Sequence, residues 1–169
     1  MLNKPKFWAK TNFLSRIFTP LSYIYFLLFI CRGYFFKKRK VNIPVICVGN
    51  LTIGGAGKTP VAISLAKFLI SKGLNPHFIT RGYKGRLRGP VLVSKQHSPH
   101  DVGDEPILLS EIAPTWVSRN KVNGALLAEE NNADLILMDD GLQNDSLYKD
   151  LSILVIDGGF GFGNNKLIP

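Results

Sequence analysis

The chain has 169 residues, 46% of them hydrophobic, with a net charge of +9 and a mean hydropathy of +0.10. That length suits one domain, or one domain joined to a membrane element. Its two cysteines, Cys31 and Cys47, sit in apolar runs, which excludes a disulfide framework and a cysteine-based metal site. A reducing, cytosolic setting follows.

The charge is unevenly distributed. No Asp or Glu occurs before Asp101, and all 12 acidic residues follow from there. A purely cationic first part attracts phosphates or anionic lipid, and the acidic second part can hold a divalent cation. The pI of 9.7 raises nucleic-acid binding. Yet the basic residues surround an apolar segment and a glycine loop, with no recognised nucleic-acid motif, so no nucleic-acid partner is expected.

Residues 1–17 are basic and aromatic, and residues 18–31 are almost entirely apolar. Lys37, Lys38, Arg39 and Lys40 close the segment. The apolar run is shorter than the ~20 residues of a full bilayer span, and a basic cluster replaces the small-residue cleavage site of a signal peptide. Tyr23, Tyr25 and Tyr34 suit headgroup depth. Residues 1–40 therefore read as an uncleaved membrane-associated helix, and residues 41–169 as a nucleotide-binding domain.

Residues 43–48 form an apolar run of strand type, followed by Gly49, Gly54, Gly55 and Gly57, then Lys58-Thr59, then a helical pattern with Val61, Leu65, Phe68 and Leu69. Strand, glycine loop, Lys-Thr and helix make the context of a phosphate-binding loop. Glycines let main-chain N–H groups turn onto a polyphosphate, and the helix points its positive end at the same anion. Thr52, Ile53, Gly54, Gly55, Ala56, Gly57, Lys58 and Thr59 are the candidate ATP-binding residues, with Lys58 on the β- and γ-phosphates and the Thr59 hydroxyl on Mg²⁺. The first glycine of the general pattern G-x-x-x-x-G-K-[ST] falls on Thr52, so the loop is a variant.

Residues 75–80 read as a second strand, leading into the basic, glycine-rich run RGYKGRLRGP at 81–90. Carboxyl ends of strands are where open α/β sheets place ligands, so this loop would meet phosphate. Residues 90–94 form a short strand and 96–102 a polar loop. Asp104 and Glu105 open the next helix pattern. They serve equally well as helix-start residues or as a base beside the nucleotide. Residues 115–118 form a strand and 119–131 a helix. Residues 134–140, DLILMDD, form an apolar strand ending in Asp139 and Asp140, with Gln143 just beyond. A strand closing in Asp is the metal-holding second half of a phosphate-loop site. Residues 151–157 give a further strand, and a glycine-rich tail follows. Strands alternating with helices imply a mostly parallel sheet flanked by helices, an α/β P-loop NTPase-like domain.

Taken together, VGNLTIGGAGKTP, RGYKG, GDEP, DDGLQ and GFGN, in that order, resemble the tetraacyldisaccharide 4'-kinase family of lipid A biosynthesis. The resemblance implies transfer of the ATP γ-phosphate to the 4'-hydroxyl of a tetraacyldisaccharide 1-phosphate, with Mg²⁺, at the cytoplasmic face of the bacterial inner membrane. It implies Asp104 as the catalytic carboxylate beside Lys58. Asp139, Asp140 and Gln143 match the metal-side motif with Thr59, and Arg81 and Tyr83 match a segment beside the lipid substrate. Members of that family are roughly twice as long and carry a second lobe with a histidine partner for the aspartate. The expectation is therefore that this chain alone turns over little, as a truncated product or as one half of a split enzyme whose C-terminal lobe is encoded separately. The rival reading is a membrane-tethered P-loop ATPase that switches a partner without lipid kinase activity.

Overall fold

The computed structural model describes residues 38–50 and 57–158, together with Pro20, Tyr23 and Leu27. The expected N-terminal membrane helix lies almost wholly outside the described residues, as do Thr52, Ile53, Gly54, Gly55 and Ala56 of the expected ATP loop. Pro20, Tyr23 and Leu27 are helical and exposed. Among the described residues no helix is long and apolar enough to cross a membrane.

A six-stranded sheet organises the rest. Its strands are β1 (Val45–Gly49), β2 (Pro76–Thr80), β3 (Val91–Leu92), β4 (Thr115–Val117), β5 (Leu135–Asp139) and β6 (Leu151–Leu154). They lie in the order β3-β4-β2-β5-β1-β6. All neighbours pair parallel except β3, which runs antiparallel to β4 at the edge. β3, only two residues long, closes that edge of the sheet.

Every residue of β2 and of β5 is buried, which is why both read as apolar runs rather than as alternation. Successive side chains in β5 point to opposite faces. Ile136 and Met138 join the layer holding Cys47, Ile79, Trp116, Ala125 and Ala128. Leu135 and Leu137 join the layer holding Val48, Ala62, Ala66, Phe78 and Leu109. Helix α4 (Lys121–Glu130) covers the first face. Helices α1 (Lys58–Ser71) and α3 (Asp104–Ser110) cover the second. On α1, Ala62 and Ala66 are the fully buried positions, four residues apart on one stripe, and their small size lets the helix lie close to the sheet.

The polar loop expected at 96–102 is in part a helix, α2 (Pro99–Val102). Ser98 caps it, its main-chain N–H donating to Asp101 at 2.9 Å and its hydroxyl at 2.7 Å. Pro99 supplies the preset φ of the first helical position. The pattern Ser-Pro-x-Asp carries this start signal, hidden by the lack of apolar residues. Arg86 pairs with Asp101 at 2.7 Å, tying the basic 81–90 run to α2.

The buried histidine is structural. Trp116 Nε1 donates to His77 Nδ1 at 3.2 Å inside the core, and burial pushes the His77 pKa down. A ring neutral in the fold but protonated in the unfolded chain lowers stability as pH falls below the unfolded value of about 6.5. Between pH 7 and pH 5, urea unfolding should show wild type losing more stability than His77→Gln, which keeps an acceptor without the charge.

Candidate active site

The carboxyl ends of β1, β2, β4 and β5 face one edge of the sheet, and the candidate residues gather there. Register explains the first contact. Val48 of β1 lies beside Asp139 of β5, and the chain leaving β1 returns at Gly57 to start α1. Gly57 has φ 79°, the left-handed region that suits glycine. Thr59, the second residue of α1, then donates its hydroxyl to Asp139 Oδ2 at 3.1 Å. Lys58 Nζ donates to Asn50 Oδ1 at 3.0 Å and pairs with Asp140 Oδ1 at 2.9 Å. The two halves of the expected site thus meet directly.

The turn after β5 is built for this meeting. Asp140 takes φ 56°, uncommon for a residue with a side chain. Its N–H donates to Val48 O at 2.9 Å, which holds it against the end of β1. A Cβ on Gly141 would stand 2.5 Å from Met138 Cε and 3.2 Å from Cys47 Sγ. A side chain there would push the end of Met138 aside and crowd Cys47, so glycine gives the closest packing behind the two aspartates.

A cavity of about 530 Å³ opens beside this contact. Its lining carries three acidic residues, Glu105, Asp139 and Asp140, and three basic ones, Arg81, Arg119 and Lys121. Thr80, Tyr83, Gln143 and Asn144 complete it. Asp139 is 3% exposed, and its Oδ1 has no hydrogen-bond partner. Burial and then the field of Glu105 raise its pKa to about 6. A buried carboxylate with one open oxygen, beside a threonine hydroxyl, fits the oxygen chemistry of Mg²⁺. Among the described residues no group of three or more His, Cys, Asp or Glu could hold a metal by itself.

The candidate residues distribute as follows. Lys58, Thr59, Asp139 and Asp140 come together, and Gln143 shares the cavity. Asp140 is the partner of Lys58, leaving Asp139 as the carboxylate nearest Thr59. Arg81 and Tyr83 line the cavity, with Tyr83 73% exposed at its mouth. Asp104 is exposed at the first position of α3, while its neighbour Glu105 faces the cavity. Neither caps the helix by its side chain. The sequence reading named Glu105 with Asp104 as a carboxylate beside the nucleotide, and missed Thr80, Arg119, Lys121 and Asn144. A signal existed for one of these: Arg119 follows a strand at its ligand-facing end, as Arg81 does.

Fold and site together define an α/β domain with a mostly parallel sheet and a Lys-Thr helix start set against a strand-end aspartate. The family model for tetraacyldisaccharide-1-P 4'-kinase matches residues 14–169, and the chain belongs to that family. It is 50% identical to tetraacyldisaccharide 4'-kinases of Rhodospirillum rubrum and Parvibaculum lavamentivorans, over 99% of this chain and 51% of each relative. The crystal structure of LpxK from Aquifex aeolicus in complex with ATP superposes with a TM-score of 0.71 at 34% identity, covering 83% of this chain and 48% of that one. The chain spans about half the length of the curated relatives it matches.

The raised Asp139 pKa has a testable sign. With the folded value near 6 and the usual value 3.8, its stabilising contribution is full below pH 3.8 and is lost as pH rises through 6. In the metal-free, nucleotide-free chain, Asp139→Asn should raise stability at pH 8 by about 2 kcal/mol, with little difference from wild type near pH 4. Thermal melts at the two pH values check this.

Proposed function

We propose that this chain provides the ATP- and Mg²⁺-binding part of a kinase that phosphorylates the 4'-hydroxyl of a tetraacyldisaccharide 1-phosphate, a lipid A precursor. The observation that carries the proposal is the pair of contacts Thr59–Asp139 and Lys58–Asp140 across β1 and β5. They bring a cation, a hydroxyl and two carboxylates to the phosphate-facing edge of the sheet, in a chain of this family.

In this reading residues 52–59 wrap the nucleotide's terminal phosphates, and Lys58 exchanges its Asp140 contact for phosphate oxygens. Thr59 and Asp139 would hold Mg²⁺, with Asp140 and Gln143 nearby. The ion supplies charge neutralisation on the β- and γ-phosphates. Asp104, the residue that matches the family's motif, takes the proton as the sugar hydroxyl attacks the γ-phosphorus and the bond to ADP breaks. Glu105 stays on the metal side, where its field already acts on Asp139. Positioning and charge neutralisation carry most of the rate.

The lipid end of the substrate belongs at the cytoplasmic face of the inner membrane. Three features support this. The first 40 residues hold an apolar run between basic flanks. Tyr23 and Leu27 present exposed apolar surface. Tyr83 stands beside Lys84, whose Nζ lies 5.8 Å from its ring centre, an aromatic–cation pair of the kind that sits at headgroups.

The test is ATP-dependent phosphorylation of the disaccharide 1-phosphate in detergent micelles, using this chain extended to the length of its relatives. Lys58→Ala and Asp139→Asn should each lower kcat/KM on the order of a hundredfold or more. Asp104→Asn should lower kcat with the ATP affinity unchanged. ATP hydrolysis at equal rates with and without the lipid acceptor would contradict the kinase reading.

A further inference from the structure

Lys121 is the most expensively placed charge among the described residues. It is 4% exposed, and its Nζ makes no hydrogen bond. It stands at the first position of α4, where the positive end of the helix repels a cation. Burial and then Arg81 push its pKa down to about 8. Asp139 and Asp140 pull the other way, yet neither touches it. Asn120 already caps the helix, its Oδ1 accepting from the N–H groups of Val122 and Asn123 at 3.1 and 3.2 Å. Lys121 therefore satisfies nothing in the fold. Lys121 is nevertheless one of the residues that line the cavity, as are Arg81 and Arg119.

A buried, unpaired cation at a helix start is retained against stability only where a ligand repays it. We propose that Lys121, with Arg81 and Arg119, forms a second oxyanion site that grips a phosphate group from the side of β2 and β4, on the other side of the Asp139–Asp140 turn from Lys58. The proposal rests on the nucleotide reading above. Lys58 rises from the end of β1, while Arg81 and Lys121 follow β2 and β4. The two cationic groups thus flank the Asp139–Asp140 turn, and a phosphoryl group above that turn meets positive charge on both sides. The phosphate has two possible sources: the terminal phosphate of the nucleotide, or the phosphate carried by the acceptor. Lys121 is a positioning residue in either case, since it binds the anion and moves no proton.

Calorimetric titrations of the full chain with ATP, with ADP, and with inorganic phosphate on the ADP-saturated chain test this in wild type, Lys121→Met and Lys121→Arg. If the nucleotide supplies the phosphate, Lys121→Met loses about tenfold or more in ATP affinity while ADP stays within about twofold. If the acceptor supplies it, both nucleotides bind as in wild type and inorganic phosphate loses about tenfold. Either result supports the site, and Lys121→Arg should recover most of the loss. In both cases the melting temperature of Lys121→Met should equal or exceed that of wild type, because an unpaired buried charge has gone. All three affinities unchanged, with a lower melting temperature, would make Lys121 a structural counter-charge for Asp139 and overturn the proposal. Failure of the nucleotide reading looks different: wild type would bind neither ATP nor ADP, and Lys58→Ala would change nothing. Inorganic phosphate titrated on the free chain then decides the Lys121 site alone, and absence of wild-type phosphate binding would also overturn it.

Discussion

The structure depends on one short contact, the Thr59 hydroxyl on Asp139 Oδ2. It joins the start of α1, which follows β1, to the end of the neighbouring strand β5. Parallel pairing makes this possible, because both strands then deliver their carboxyl ends to the same edge. The register Val48↔Asp139 sets the height, and the Asp140 N–H on Val48 O locks the turn. Two buried layers hold the strands in that register, so the core positions the chemistry. A one-residue slip of β5 would turn Asp139 to the other face of the sheet.

The same edge stores electrostatic tension. Asp139 is buried with an open oxygen, and Lys121 is buried with none of its protons donated. Asp140 holds a left-handed backbone. Each lowers the stability of the free chain, and each makes sense beside a polyphosphate and a divalent cation. The remaining polar groups of the core are ordinary by comparison. His77 accepts from Trp116, and Thr115 donates to Ala113 O. Among the described residues, the buried side chains with an unpaired polar atom thus gather in one place.

Much of this was legible in the sequence, for physical reasons. β1, β2 and β5 are buried on both faces, so they appear as short apolar runs. The Gly-Lys-Thr and Asp-Asp-Gly segments sit at strand ends, where chemistry and turn geometry demand the same residues. The RGYKG and GDEP segments carried the family resemblance that the family model bears out over residues 14–169. Other parts were hidden. The antiparallel edge strand β3 has only two residues, too few for a period. Helix α2 has no apolar stripe, and only its Ser98–Asp101 cap marks it. Lys121 is adjacent to exposed Asn120 and Arg119 in sequence, and nothing local distinguishes a buried lysine from solvated neighbours. Its role comes from the fold, which turns that first residue of α4 toward the cavity. The choice between Asp104 and Glu105 likewise depends on which way the first turn of α3 faces.

The central claim is that Thr59 and Asp139 act as one seat for a metal-bound nucleotide. A double-mutant cycle measures this directly: Mg²⁺-ATP affinity in wild type, Thr59→Val, Asp139→Asn and the double variant. The account predicts strong coupling, about 1 kcal/mol or more, with the double variant scarcely worse than either single one. Additive losses, with each residue weakening Mg²⁺-ATP independently of the other, would contradict it.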